Sequence, residues 1–289
     1  MQYHLNGELV DREAATVHVD DRGFRYGDGA FETCRAYGGE IFRWERHRRR
    51  LEATCETLGM AGAVPDDLGD RIDETLAAND LADAYVRVSV TRGVQAGKLT
   101  PREDVDPTVV VVTKPLPRGG LDGEDVWEAP AVVQSVVTRR IPDAALPVEA
   151  KTHNYLNGIL ARLELRRAAS DEYSPDEALM RDTEGYIAEG ATSTLFFVDD
   201  GVLKTPEEGT LLPGITRETV IELADEEDFP VRTGRYTLED VRNADEAFLT
   251  NTTWEVRPIE RLDGIEIGGG PLTTLLSRLY DELVEARCY

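Results

Sequence analysis

The stretch Pro115-Leu116-Pro117-Arg118-Gly119-Gly120 divides the sequence into two halves. It holds two prolines and two glycines among six residues, and strand-like patterns stand on both sides of it. This composition is typical of an exposed linker between domains. We therefore predict a small N-terminal α+β domain over residues 1–114, a linker over residues 115–123, and a larger C-terminal domain over residues 124–289.

The half before the linker mixes strand and helix patterns. Leu51, Cys55 and Leu58 fall at positions i, i+4 and i+7, which predicts a helix that ends at Gly59. In order, the predicted elements are a hairpin around Asn6-Gly7, loops at 20–23 and 26–29, a strand over 31–37, helices over 44–58 and 65–78, and strands over 85–91 and 108–114.

The half after the linker also mixes the two patterns. The predicted elements are strands over 131–137, 177–180, 186–187, 192–198 and 246–250, a hairpin turn at 199–201, and helices over 154–170, 216–227 and 272–285. Strands and helices therefore alternate irregularly in both halves. The sequence predicts two α+β domains.

Charge is the strongest feature of the composition. There are 56 acidic residues against 32 basic ones, a formal net charge of -24, and only four of the basic residues are lysines. A negative surface repels phosphate backbones, so we do not expect nucleic acid as a partner. Such a lysine-poor acidic surface suits a protein that stays soluble in concentrated salt, where the repulsion is screened. We predict the cytoplasm of a halophile.

Other features of the sequence also predict a cytoplasmic protein. No apolar run approaches the length of about 18 residues that a membrane span needs, and the N-terminal residues do not have the pattern of a signal peptide. The three cysteines, Cys34, Cys55 and Cys288, are far apart and form no CxxC motif. This usage predicts a reducing cytoplasm, no membrane association and no metal site.

Three segments carry candidate chemistry. Lys151 stands just before a predicted helix, and Glu189 lies on a bend of small residues that leads into an apolar strand. Thr216 follows Leu212-Pro213-Gly214-Ile215 and can cap a helix, whose N-terminus would bind phosphate readily. Each segment alone also has an ordinary explanation. These are a surface lysine, an exposed acid and a capped helix.

Taken together and in order, five segments resemble the class IV (fold type IV) aminotransferases. They are residues 21–32 (Asp-Arg-Gly-Phe-Arg-Tyr-Gly-Asp-Gly-Ala-Phe-Glu), 149–158, 185–198, 212–217 and 248–254. That family includes branched-chain aminotransferases, D-amino-acid aminotransferases and aminodeoxychorismate lyase. The resemblance implies the cofactor pyridoxal 5'-phosphate (PLP) and a two-domain fold. That fold has a small N-terminal α+β domain and a larger C-terminal α/β-barrel-like domain.

The resemblance also implies roles for individual residues. Lys151 matches the catalytic lysine that bonds to PLP and moves a proton at the substrate Cα. Glu189 matches the carboxylate on the pyridine nitrogen, Tyr155 the residue near the phenolic oxygen, and Arg50 the arginine on the phosphate. The remaining implied contacts are Gly214, Ile215, Thr216, Asn251 and Thr252 for the cofactor, and Phe31, Tyr85, Arg87, Thr253 and Trp254 for the substrate.

The resemblance leaves more than one reaction open. Tyr85-Val86-Arg87 resembles a strand that branched-chain enzymes place near their substrate. In contrast, the short spacing from Lys151 to Asn154 resembles the lyase and D-amino-acid members, and the bulky Trp254 resembles the lyase-like and unclassified members. Thr194 stands where the family commonly has asparagine. We predict amino transfer between an L-amino acid, of the branched-chain type, and a 2-oxo acid such as 2-oxoglutarate. Aminodeoxychorismate lyase is the alternative, and D-amino-acid transfer is the third possibility. The family also implies a homodimer.

Overall fold

The computed structural model describes residues 1–95, 97–121, 125–170 and 173–289. The chain forms two compact units. The first comprises Met1–Arg118, Ala150–Asn154 and Val284–Tyr289, and the second comprises Gly119–Glu149 and Tyr155–Leu283. Residues 122–124, where the predicted linker ends and the predicted second domain begins, lie outside the described residues. None of the helices in the described residues is long and apolar enough to cross a membrane.

The first unit is built on an antiparallel sheet of six strands in the order β2-β1-β6-β5-β3-β4. Its strands are β1 (Gln2–Leu5), β2 (Glu8–Asp11), β3 (Gly29–Tyr37), β4 (Glu40–Ile41), β5 (Ala84–Thr91) and β6 (Thr108–Pro115). Asn6 and Gly7 both have positive φ, 50° and 95°, which confirms the predicted hairpin. Val86, Val88 and Val90 of β5 are fully buried. Tyr85 and Arg87 therefore lie on the opposite face of that strand.

Three helices belong to the first unit: α1 (Arg22–Tyr26), α2 (Trp44–Thr57) and α3 (Leu68–Ala78). The core joins Leu51 and Cys55 of α2, Leu68 and Ile72 of α3, and the buried face of the sheet. The loops predicted at 20–23 and 26–29 were wrong in part, because α1 includes residues 22, 23 and 26. Asp21 accepts a hydrogen bond from the N–H of Gly23 at 2.7 Å, and Gly27 ends the helix with φ 70°. These two caps stabilise a turn that has no apolar periodicity.

The segment around Lys151 departs from the continuous division that we predicted. The range 124–289 assigns it to the second domain, yet Ala150–Asn154 belongs to the first unit. Phe31 donates its N–H to the carbonyl of Lys151 at 3.0 Å, and His153 donates its N–H to the carbonyl of Gly29 at 2.9 Å. The segment pairs with the start of β3, and this long-range pairing leaves no trace in local periodicity.

The second unit contains a sheet of nine strands in the order β12-β11-β10-β13-β14-β7-β8-β9, with β15 on β14. The strands are β7 (Ala131–Arg139), β8 (Glu177–Arg181), β9 (Ile187–Gly190), β10 (Thr194–Asp199), β11 (Val202–Pro206), β12 (Val231–Gly234), β13 (Glu246–Asn251), β14 (Glu255–Leu262) and β15 (Ile265–Glu266). The pairs β7–β8, β7–β14 and β11–β12 are parallel, and the others are antiparallel. This mixed sheet agrees with the predicted α+β class.

The helices of the second half are α4 (Leu156–Ala168), α5 (Ile215–Glu226), α6 (Leu238–Arg242) and α7 (Pro271–Cys288). All the helices predicted in this half are confirmed, within a few residues at their ends. In this half, the elements that we did not predict are α6, β12, β14 and β15, whereas β11 follows the predicted hairpin turn at 199–201. Three of these have five residues or fewer, and such short elements depend on their neighbours more than on their own sequence.

Candidate active site

Lys151 is fixed by both of its backbone polar groups. Its N–H donates to the hydroxyl of Thr54 on α2 at 3.1 Å, and its carbonyl accepts from the N–H of Phe31 on β3. The ammonium nitrogen lies 4.7 Å from the centroid of the Phe31 ring. The lysine is therefore a half-buried residue with a defined position, and not a surface lysine.

Phe31 lies at the centre of a small cluster in the first unit. The side chain is 5% exposed. The guanidinium carbon of Arg87 lies 3.9 Å from the ring centroid, and the His153 ring lies 5.9 Å away. Burial and the nearby charge of Arg87 lower the pKa of His153 to about 4, so its imidazole is neutral near pH 7. Two cations, Lys151 and Arg87, thus share one aromatic ring.

Tyr85 stands two residues before Arg87 on the same face of β5. It pairs across the sheet with Lys114, whose ammonium nitrogen lies 4.4 Å from the tyrosine ring centroid. The structure thus brings Phe31, Arg87 and Lys151 together, whereas Tyr85 contacts a different cation.

Arg50 makes a two-point ion pair with a buried carboxylate. Its Nε and Nη2 donate to the two oxygens of Glu32 at 2.7 and 2.8 Å. Nδ1 of His47 lies 2.8 Å from the same carboxylate. No role was predicted for Glu32 or His47 from the sequence. The spacing of His47 and Arg50, three residues apart on one helix face, is a signal that points to a shared partner.

Glu189 lies on β9 in the second unit, where its carboxylate pairs with Arg140, just beyond β7. The other carboxylate oxygen accepts the N–H of Leu212 at 3.0 Å. The side chains of Glu189 and Arg140 are only 12% and 15% exposed. We missed Arg140, although a partly buried acid requires a cationic partner, and that requirement is the signal that could have found it.

The start of α5 offers backbone donors in the second unit. Gly214 is the N-cap residue and makes no side-chain capping bond. The suggestion that Thr216 caps the helix was therefore wrong, since Thr216 lies inside the first turn. A Cβ on Gly214 would approach Thr194 Oγ1 to 3.2 Å and Arg217 Cβ to 3.3 Å, so glycine allows a close approach here. First-turn N–H groups have no partner within a helix and readily bind an anion.

Asn251 shapes the loop after β13. Its side-chain oxygen accepts the N–H groups of Thr253 at 2.9 Å and of Trp254 at 2.7 Å, and its amide donates to the carbonyl of Thr192 at 3.2 Å. The Asn251 side chain thus fixes the backbone on both sides of Thr252. Trp254 packs against the core of the second unit, with the guanidinium carbon of Arg257 4.9 Å from its ring centroid.

Tyr155 occupies the N-cap position of α4, and its carbonyl accepts the N–H of Ile159 at 3.0 Å. Its backbone thus begins the helix that follows the Lys151 segment.

The groups present in each unit, taken by itself, are of the kinds that hold PLP. The first unit supplies an amine at Lys151 and a fixed guanidinium at Arg50. The second unit supplies the uncapped start of α5 and a held carboxylate at Glu189. The buried hydroxyls of Ser193 and Thr250 have no hydrogen-bond partner among the described residues. Orphaned donors are rare in a protein interior unless a ligand or water satisfies them.

Comparison with known proteins gives the family. The family model described as "Amino-transferase class IV" matches residues 29–262. The chain is 38% identical to a putative branched-chain-amino-acid aminotransferase of Methanocaldococcus jannaschii, over 99% of this chain and 96% of the relative. It is 30% identical to a D-alanine aminotransferase of Listeria monocytogenes, over 100% and 98% of the two chains.

A solved structure gives the same result for the fold. The T.th. branched-chain amino acid aminotransferase with pyridoxamine 5'-phosphate superposes with a TM-score of 0.88 at 32% identity. The match covers 99% of this chain and 94% of that one. The predicted fold class is therefore confirmed. This chain belongs to the class IV aminotransferases.

Proposed function

We propose that the protein is a PLP-dependent enzyme that transfers an amino group between an L-amino acid of the branched-chain type and a 2-oxo acid such as 2-oxoglutarate. The observation that carries the proposal is the position of Lys151, which is bonded at both backbone groups beside the Phe31 ring. The proposal is supported by the branched-chain enzymes among the relatives and by the pyridoxamine 5'-phosphate in one structural neighbour.

The residues of this chain have separate tasks in that reaction. When bound, the cofactor supplies an electron-accepting ring that stabilises the charge left after a Cα proton is lost. Lys151 holds the cofactor through its amine and moves the proton at the substrate Cα. Arg140 orients the Glu189 carboxylate for the ring nitrogen. By the family resemblance, Arg50, the first turn of α5 and Thr252 would hold the phosphate, and Tyr155 would lie near the phenolic oxygen.

Substrate binding is assigned to the face of β5 opposite its buried valines. Arg87 is the cation suited to a substrate carboxylate, and Phe31 offers an apolar surface beneath it. We extend this assignment to Tyr85, Thr253 and Trp254 on the family resemblance.

The decisive variant is Lys151→Ala. We expect it to fold and to bind PLP weakly, because Arg50 and the other phosphate contacts remain. We also expect its turnover to fall by about a thousandfold or more, since general-base catalysis is lost. Lys204→Ala is the matched control, because Lys204 pairs with Asp199 in the second unit and has no role in the proposal. Full activity of Lys151→Ala would refute the assignment.

A substrate panel distinguishes the reactions of the family. L-leucine, L-glutamate, D-alanine and aminodeoxychorismate are offered to the enzyme in high salt, and the product of each is identified. Amino transfer from L-leucine supports the proposal. Turnover of D-alanine alone would favour the activity of the Listeria monocytogenes relative. Release of pyruvate and 4-aminobenzoate would make the enzyme a lyase.

We also propose a homodimer. Val137 of β7 and Leu156, Ile159 and Leu160 of α4 are 81%, 64%, 54% and 47% exposed, which is unusual for large aliphatic residues of one compact unit. Light scattering on the purified protein measures its mass directly. A monomer at micromolar concentration would contradict this part of the proposal.

We further propose a cytoplasmic protein of a halophile. The net charge of -24 and the three free cysteines support this setting. Added potassium chloride should raise the midpoint of thermal unfolding, because salt screens the repulsion among the carboxylates. Greater stability in dilute buffer would count against it.

A further inference from the structure

Glu32 is a carboxylate with no exposed surface. It follows Phe31 on β3, and successive side chains of a strand point to opposite faces of the sheet. Glu32 therefore lies on the face with Ala30 and Cys34, which belong to the core that α2 helps to form. A charge placed in an apolar core requires partners.

Helix α2 supplies both partners from one face. Arg50 binds the two carboxylate oxygens with Nε and Nη2, at 2.7 and 2.8 Å. His47, one turn earlier, places Nδ1 2.8 Å from Oε2 of Glu32. The carboxylate thus meets a planar fork on one side and an imidazole on the other, and this arrangement fixes the orientation of the guanidinium.

The ionisation states suit this arrangement. Burial by itself would raise the pKa of Glu32, but the charge and hydrogen bonds of Arg50 and His47 outweigh burial and hold the pKa well below its usual value. Burial lowers the pKa of His47, assisted by the charges of Arg50 and Lys151 and opposed by Glu32. A neutral imidazole then donates from Nδ1 to an ionised carboxylate.

A metal ion is a poor alternative for this cluster. Glu32, Cys34 and His47 place three potential ligand atoms within 4.8 Å of one another. Both oxygens of Glu32 are already bonded to Arg50, however, and burial raises the pKa of the Cys34 thiol well above its usual value. The thiol is therefore protonated, whereas a metal binds the thiolate.

Stability alone does not account for the pair either. The cost of desolvating two buried charges often equals or exceeds their attraction, and apolar residues of similar volume do as well. What the pair does provide is a guanidinium that cannot rotate. Two of its five N–H donors are turned to Glu32, and the other three lie on edges turned away from it.

We propose that Glu32 and His47 are positioning residues that hold the guanidinium of Arg50 in the orientation required by the cofactor phosphate. This inference rests on the proposed function, in which Arg50 contacts that phosphate. It assigns to Glu32 an indirect role in affinity, through Arg50, with no contact to the cofactor.

The test compares PLP with pyridoxal, which has the same ring and aldehyde but no phosphate. Both are titrated into protein from which the cofactor has been removed, and the dissociation constant of pyridoxal is divided by that of PLP to give a selectivity ratio. We expect Glu32→Gln to weaken PLP binding by about tenfold to a hundredfold, the value of a charge-assisted hydrogen bond. Pyridoxal binding should stay within about threefold, so the ratio falls.

Glu52→Gln is the matched control. Glu52 lies on the same helix and pairs with Arg48 at 2.9 Å, but its side chain is 42% exposed. We expect its ratio to equal that of the unchanged protein. His47→Leu should lower the ratio, and His47→Asn should restore most of it, because the asparagine amide can replace the Nδ1 donor. This second pair of variants serves if Glu32→Gln does not fold.

Arg50→Met separates the two possible failures. If Arg50→Met loses the preference for PLP while Glu32→Gln and His47→Leu keep it, the positioning role is overturned and the phosphate contact stands. If Arg50→Met itself keeps the preference, the phosphate contact of the proposed function is overturned together with this inference. If the role of Glu32 were purely structural, Glu32→Gln would weaken the binding of PLP and of pyridoxal by the same factor.

Discussion

The two units contain carboxylate–arginine pairs of the same chemistry in different surroundings. In the first unit, the side chains of Glu32 and Arg50 are 0% and 11% exposed, and His47 provides a third member. In the second unit, the side chains of Glu189 and Arg140 are 12% and 15% exposed, and a backbone N–H provides the third contact. The first carboxylate is fully enclosed, whereas the second retains some exposed surface.

This difference bears on the part that each carboxylate can take in the proposed function. An enclosed carboxylate such as Glu32 cannot meet a ligand, so in the proposed function Arg50 is the binding group of the first pair and Glu32 is its support. In the second pair, the proposed function makes Glu189 the binding group and Arg140 its support, which rests on the family resemblance, since the two side chains are 12% and 15% exposed. The proposed roles of acid and arginine are thus inverted between the two pairs. Burial excludes the acid as the binding group only in the first pair.

The largest expected effect is on stability. Arg50→Met leaves Glu32 buried without its main partner, which should cost about 3–5 kcal/mol in the free energy of unfolding. Arg140→Met leaves Glu189 with some solvent access and the Leu212 N–H, so we expect about 1 kcal/mol. Urea unfolding of cofactor-free protein in concentrated salt measures both. Equal losses would remove the contrast between the two pairs.

The next effect concerns ligand affinity. Arg140→Met should weaken PLP and pyridoxal alike, by about tenfold, because its partner Glu189 acts on the ring that both ligands share. The dissociation constant of pyridoxal divided by that of PLP should therefore stay constant in this variant, whereas it falls in Glu32→Gln. A changed ratio in Arg140→Met would place its action at the phosphate and contradict the assigned roles. Arg257→Met, which breaks the ion pair of Arg257 with Asp176 in the same unit, is the control.

The smallest expected effect is a pH dependence of the free energy of unfolding, which arises from His47 beside the Glu32–Arg50 pair. The folded-state pKa of His47 is lowered from 6.5, first by burial. Below pH 6.5 the unfolded chain therefore binds a proton that the folded chain does not, and the free energy of unfolding falls as the pH falls. One such group contributes a slope of up to about 1.4 kcal/mol per pH unit.

His47→Asn should remove this part of the slope below pH 6.5 while keeping a donor to Glu32. Urea unfolding at several pH values, with the unchanged protein alongside, measures the difference. His153 also has a lowered pKa, so some slope should remain in the variant. An unchanged slope would mean that His47 is protonated in the folded state.

Much of the fold was predictable because its signals are local. The periodicity of Leu51, Cys55 and Leu58 located α2, and Asn6-Gly7 located the first hairpin. The prediction was wrong at α1, where Asp21 and Gly27 act as caps without an apolar pattern. It was also wrong about the cap of α5, since Gly214 and not Thr216 occupies that position. Caps depend on single residues, which many turns also contain.

The sequence by itself determined the family and the residue types that carry the candidate chemistry, because these occur in short ordered segments around Lys151 and Glu189. Only the tertiary structure decided which cation holds which acid. Arg50 is 18 residues from Glu32, and Arg140 is 49 residues from Glu189. Pairing over such separations depends on strand register and helix packing, which bring together side chains that no local pattern relates. The full burial that keeps Glu32 from contacting a ligand likewise exists only in the folded chain.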